Sequence, residues 1–297
     1  MTRVIRLLSL LTAALLVFAC GQKPKAPKVL VLYYSQTANT RTVAEAIQSR
    51  LGADIEEIVV TKPYDGDFQQ TIERCQQERA DGILPEIQPL GKDLSQYDII
   101  FLGYPVWFGT YAPPVAALLD QVDLSGKKVV PFCTFGSGGL SSSAADLARK
   151  QPGAEVLPGY GVRAARIDAV ADEVERFLTQ NGYVEGVVVE LEEFPEAQAV
   201  TDEEAAIFDA AVGDYPMMHA KASTVASRAI PGGREYLFTA VEAPREDGPR
   251  PGPKGDAPKF GPKGDAPKDM PKFEPREMKV YVTVLDGQAP EFTQVVR

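Results

Sequence analysis

Histidine and tryptophan occur once each in these 297 residues, and cysteine only three times. Zinc and iron sites draw on His and Cys at short spacing, and Cys20, Cys75 and Cys133 are far apart. No disulfide framework is possible either, although Cys75 and Cys133 could pair in an exported chain. His219 stands beside "YPMM" with no cysteine or second histidine nearby, and reads as a satisfied structural residue. Ser-His-Asp and Cys-His chemistry therefore has little to work with. No catalytic side chain and no metal ligand is expected.

Positive charge is also scarce. Lys and Arg number 31 against 41 Asp and Glu, a net charge of −10. Such a chain repels phosphate polymers and acidic membrane surfaces, which argues against nucleic acid as a partner.

Long apolar runs are confined to the start. Arg3 and Arg6 precede "LLSLLTAALLVFA" at 7–19, too short to cross a bilayer about 30 Å thick as a mature helix. The segment reads as the apolar region of a secretion signal, with residues 1–22 set apart from the fold. Cys20 then has two readings. It is an incidental residue after a cut at Ala19, or the lipid-bearing cysteine of a lipoprotein signal ending in "VFAC". The second places the protein in the cell envelope, anchored to a membrane on its periplasmic or surface side.

Between 28 and 181, strand-like and helix-like stretches alternate, as in a parallel sheet covered on both faces. Strands are expected at "KVLVLYYS", "DIEEIVVT", "YDIIFLGYP", "KKVVPFCTFG" and "AEVLPGYGVR". Helices are expected at "TRTVAEAIQSRLG", around 67–81, and at "PPVAALLDQV", "LSSSAADLARK" and "DAVADEVERFLTQNG". Five strands with their helices make one doubly wound α/β domain. Residues 183–297 follow a different pattern. "TDEEAAIFDAAVGDY" opens with a helix-capping signature, and Ala205, Ile207, Phe208, Ala211 and Val212 can share an apolar face. "REYLFTAVEA" and "MKVYVTVLDG" alternate like half-buried strands. A Pro/Gly/Lys-rich loop at 245–277 contains "GPKGDAPKF" and its near copy "GPKGDAPKD", with almost nothing to bury. The tail is thus expected to be a small α+β domain.

Ligands of open parallel sheets collect at the carboxyl ends of the strands, where strand order reverses. The stretch "SQTANT" (35–40) falls at such an end. Helix-opening N–H groups with Ser35, Thr37, Asn39 and Thr40 form a concave donor site for a phosphate. The G-x-x-x-x-G-K-S/T spacing of a triphosphate site is absent, so a terminal phosphomonoester is the better match. Alone, such residues are ordinary helix caps. Two more strand-end loops add to them. "GYPVWFGTYAPP" (103–114) is expected to expose Tyr104, Trp107, Phe108 and Tyr111 to an aromatic partner, and "TFGSGGLSSS" (134–143) lets main chain approach a flat ring. A phosphate cradle, an aromatic wall and a glycine-rich edge together describe a flavin mononucleotide (FMN) pocket.

On these three motifs, residues 28–181 resemble the flavodoxin family. The resemblance implies that Ser35, Thr37, Ala38, Asn39 and Thr40 hold the phosphate. It implies that Pro105, Val106, Trp107, Phe108 and Gly109 contact one side of the isoalloxazine ring, and Phe135, Gly136, Ser137 and Gly138 its opposite edge. It also implies electron transfer with a redox partner protein or a quinone-like small molecule. Family membership leaves NAD(P)H-dependent quinone reduction open as an alternative. The tail is similar to the cystatin fold, with "TVASRAIPGG" where that family carries its Q-x-V-x-G wedge. Threonine replaces the glutamine and the glycine is displaced, so protease inhibition does not follow. A partner- or protease-binding module with dispensable flavin is a third reading.

Overall fold

The structure, a computed structural model, describes residues 26–213, 215, 218–242 and 276–296. The signal segment and most of the Pro/Gly/Lys-rich loop lie outside the described residues. Among the described residues no helix is long and apolar enough to cross a membrane.

The amino-terminal unit is built on β1 (Val29–Tyr33), β2 (Asp54–Glu57), β3 (Ile99–Trp107), the short β4 (Thr110–Tyr111) and β5 (Lys128–Phe135), with β6 (Glu155–Val156) and β7 (Tyr160–Arg163). The order is β2-β1-β3-β5-β6, with β7 also paired to β5 and β4 folded back on β3. All pairings except β3–β4 are parallel. The fifth strand expected from "AEVLPGYGVR" is therefore two pieces. Pro158 between them has no N–H to give a ladder, and a side chain at Gly159 would meet the Pro131 carbonyl at 2.3 Å.

Alternation along the strands explains the two-faced core. Leu30, Leu32, Ile100 and Leu102 face one way, toward α2 (Phe68–Asp81), α3 (Pro113–Gln121) and α4 (Leu140–Lys150), which contribute Cys75, Val115, Leu118 and Leu147. Val31, Tyr33, Phe101, Val130 and Phe132 face the other way. There α1 (Asn39–Leu51) and α5 (Val170–Gln180) bury Val43, Ile47, Val174 and Phe177. Helix α2 starts where a full capping box forms, Asp67 accepting from Gln70 N and Gln70 closing back on Asp67 N. Cys75 and Cys133 are both buried and unpaired.

The carboxyl-terminal unit places α6 (Asp202–Val212) against an antiparallel sheet ordered β12-β11-β10-β9-β8. Its strands are β8 (Gln198–Ala199), β9 (Ala220–Ile230), β10 (Gly233–Glu242), β11 (Glu277–Leu285) and β12 (Glu291–Val296). Helix α6 opens on a capping box between Thr201 and Glu204. Phe208, Ala211 and Val212 are buried against Phe238, Val280, Val282 and Phe292, while Ala205 and Ile207 are only half-buried. Three features differ from the sequence expectation. "TVASRAI" is not a loop but part of β9, paired along β10. The strand β12 was not anticipated. His219 is exposed just before β9 rather than satisfied in packing.

Gly103 in β3 shows how tightly the central strands pack. A Cβ there would lie 2.1 Å from Cζ of Phe132. Gly103→Ala is expected to destabilise the chain by about 1–3 kcal/mol through overpacking. A chemical denaturation curve with an unchanged midpoint would refute this.

Candidate functional site

Strands β1, β3 and β5 run side by side in parallel, β3 to Trp107 and β5 to Phe135, beyond the level at which β1 ends. Tyr33 pairs with Gly103, Gly103 with Phe132 and Pro105 with Thr134, so the loops after them open on one edge of the sheet. Order reverses between β1 and β3, the position at which such sheets bind ligands.

The loop after β1 is shaped by hydrogen bonds from its own residues. Ala38 takes a left-handed conformation (φ 66°) and no side chain caps α1. The N–H groups of Asn39 and Thr40 at the start of α1 thus keep the donor capacity that a capping side chain would consume, while that of Arg41 is engaged. Ser35 Oγ accepts from Arg41 N at 3.2 Å, and the Thr40 hydroxyl is buried against that of Thr134 at 2.8 Å. This pair joins the start of α1 to the end of β5. Thr37 is exposed. Gln36 braces the loop, its amide donating to the Tyr64 carbonyl at 2.8 Å and to Thr71 Oγ1 at 3.0 Å. The nearby cation Arg41 is paired with Glu57 at 2.8 Å. Neutral donors therefore dominate here.

The loop after β3 is a tight hairpin. Trp107 pairs with Thr110, and both central residues have positive φ, Phe108 at 52° and Gly109 at 83°. Such a conformation is rare and costly for a phenylalanine, and residues of this kind concentrate at functional sites. Phe108 is 48% exposed. Trp107 is half-buried, edge-on to Tyr34 and Tyr64 with centroids 6.0 and 5.2 Å away. The expected exposure of Tyr104 and Tyr111 is not found. Alternation along β3 turns Tyr104 into the core, where its hydroxyl donates to Ser143 Oγ at 3.1 Å, and Tyr111 is half-buried.

The loop after β5 is held from both sides. Arg163 Nε donates to the Gly136 carbonyl at 3.0 Å, and Val295 N on β12 donates to the Ser137 carbonyl at 2.7 Å. A Cβ on Gly138 would come within 2.3 Å of the Val295 carbonyl, so only glycine admits this approach. Arg163 also donates to the Phe292 carbonyl at 2.9 Å, and Arg166 bridges Glu173 and Glu291, each at 2.7 Å. The carboxyl-terminal unit is thereby fixed to the glycine-rich loop.

Two cavities result. One, of about 430 Å³, runs from Thr37 and Asn39 past Pro105 and Trp107 to Phe135 and Gly136, with Ile72 and Cys75 of α2 in its wall. The other, of about 480 Å³, lies between Gly109, the 135–142 segment, Tyr215 and β12. They share Val106, Phe108, Phe135 and Gly136. Ser137 and Gly138 line only the second, while Ser35, Ala38 and Thr40 line neither and shape the loop instead. Gln36, Arg163, Tyr215 and β12 escaped the sequence analysis. Among the described residues no cluster of three or more His, Cys, Asp and Glu could hold a metal ion.

Cys75 borders the first cavity, yet burial and then the nearby Glu78 push its thiol up to about 11. Burial raises Cys133 as well. At pH 8 only about 0.1% of Cys75 would be thiolate, the reactive form. In a Cys20→Ser chain, disulfide reagents should label neither thiol at an appreciable rate until denaturant is added. Rapid labelling of the folded chain would overturn this.

Residues 28–177 match the family model described as flavodoxin. Over 99 residues, 32% of this chain, the sequence is 35% identical to the NAD(P)H dehydrogenase (quinone) of Gluconacetobacter diazotrophicus, of which it covers 46%. The chain thus spans about half the length of that relative. The flavoprotein of Lactobacillus acidophilus NCFM, solved in complex with FMN, is 29% identical, with 49% of this chain and 99% of that one covered and a TM-score of 0.42. Oxidised flavodoxin 2 from Bacillus cereus is 18% identical, with coverages of 52% and 99% and a TM-score of 0.33.

Proposed function

Because the chain belongs to the flavodoxin family, whose cofactor FMN sits at the switch point of such sheets, we propose that it is an FMN-binding electron-transfer protein. The observation that carries this reading is the 430 Å³ cavity, which joins neutral donors at a helix start to an aromatic wall and a glycine-bearing edge. The residues fit the cofactor. Thr37, Asn39 and the uncapped N–H groups of α1 would hold a phosphomonoester, and Arg41, committed to Glu57, is not needed for it. Pro105, Trp107 and Phe108 would face the ring, with Phe135 and Gly136 opposite. FMN when bound supplies the redox chemistry, and the protein supplies binding, orientation and exclusion of water.

A second reading, NAD(P)H-dependent reduction of a quinone, is favoured by the stretch shared with the Gluconacetobacter quinone dehydrogenase. Steady turnover of NAD(P)H with a quinone separates it from simple electron carriage. We read the tail as cystatin-like in arrangement only, since the stretch aligned with the wedge lies in β9, paired to β10.

Loss of the Thr37 donor should weaken FMN binding about ten- to a hundredfold in Thr37→Ala. Trp107→Ala should also weaken it and restore fluorescence to bound flavin. Riboflavin, which lacks the phosphate, should bind poorly and respond to Trp107→Ala but not to Thr37→Ala. Equal losses of both ligands in both variants would indicate general destabilisation. A folded chain that leaves FMN fluorescence untouched would remove the flavin reading.

Residues 1–22 support export, with Cys20 as a lipid anchor that holds the redox unit at a membrane of the cell envelope. Stable anchoring takes more than one acyl chain, which lipoprotein processing provides. Cys20→Ser should move the protein from the detergent-extracted membrane fraction to the soluble one; unchanged partitioning would rule out this anchor.

A further inference from the structure

We propose that the 480 Å³ cavity between the two units is a binding site for a flat, uncharged quinone-type ring, with the carboxyl-terminal unit as its second wall. As a substrate site it rests on the FMN reading of the neighbouring cavity, while the binding itself does not. Its volume lies in the range of small-molecule sites, and is far too small for a protein partner. It adjoins the proposed flavin cavity along Val106, Phe108, Phe135 and Gly136, so a ring held in it lies next to the cofactor.

The lining selects the ligand. None of the described lining residues is charged, in a chain of net charge −10. Phe108 on one side and Tyr215 on the other present aromatic surface, and Phe108 is held outward by its positive φ. Ser137, Ser141 and Gln294 are neutral polar groups, suited to carbonyl oxygens that only accept hydrogen bonds. Two guanidinium groups stand at the margins of the cavity, that of Arg79 at 5.1 Å from the Phe108 ring centroid and that of Arg163 at 5.5 Å from the Tyr215 ring centroid, the latter engaged with the carbonyls of Gly136 and Phe292. The main chain of Gly136–Gly139 and the start of α4, which no side chain caps, add N–H groups that can donate to quinone carbonyls. The floor is firm, because Ser142 Oγ donates to the Gly109 carbonyl at 2.7 Å and so ties α4 to the hairpin.

Equilibrium dialysis of duroquinone (fully substituted, so inert to thiols) against the full chain tests this, with and without saturating FMN. Saturable binding is expected in both conditions. Tyr215→Ala should weaken it about tenfold, Tyr215→Phe should retain it, and Gln294→Leu should weaken it severalfold. FMN affinity, read from fluorescence quenching, should stay within about twofold throughout. Absence of saturable quinone binding overturns the proposal, as does indifference to both Tyr215→Ala and Gln294→Leu. Displacement of duroquinone by FMN also overturns it, since the cavity would then belong to the flavin's own site. A chain that binds duroquinone as expected but never quenches FMN supports this cavity and removes the flavin reading instead.

Discussion

The parallel register of β1, β3 and β5 is the constraint on which everything else depends. Three parallel strands buried on both faces point their carboxyl ends the same way, so the loops that follow Tyr33, Trp107 and Phe135 open onto one edge. The register is kept by packing that tolerates no extra atom, as the Phe132 ring lies over Gly103. It is locked at the top by one buried hydroxyl pair, Thr40 with Thr134, which spans β3 to join the first loop to the third strand end. Buried polar groups without partners are expensive, so each of these hydroxyls makes the other's position obligatory.

Charge plays a small part in the site. The arginine at the start of α1 is neutralised by Glu57, and donors are hydroxyls, amides and main-chain N–H groups. A monoanion or dianion held this way is bound by geometry more than by Coulomb attraction, which suits an acidic protein with few cations to spare. The aromatic wall is equally pre-set. Trp107 stands edge-on to two tyrosines, and Arg74 stacks over one of them at 3.9 Å, which braces the indole in the cavity wall.

Much of this was legible in the sequence, for reasons that can be located. Helix 140–150 and the strands near 29, 99 and 128 have strong apolar patterns and clear boundaries, and the structure places them there. The fifth strand was read as one piece because its pattern continues across Pro158 and Gly159, whereas backbone hydrogen bonding does not. Tyr104 was expected on the surface because an aromatic-rich loop hides the two-residue alternation that β3 continues as far as Trp107. The contributions of β12 and Arg163 had no sequence signal at all. Both act through main-chain carbonyls of Gly136 and Ser137, and a carbonyl is present whatever the side chain.

The bond from Val295 to Ser137 has a consequence for the solubility of the tail sheet. Strand β12 is an outer strand of that sheet, and an outer strand offers unpaired N–H and C=O groups to any extended chain that meets it. Here the glycine-rich loop lies against that edge and uses one of its N–H groups, with Gly138 packed on the carbonyl of the same residue. The loop therefore acts as an edge guard. Substitutions that pull it away from β12 would present a pairing template to neighbouring molecules.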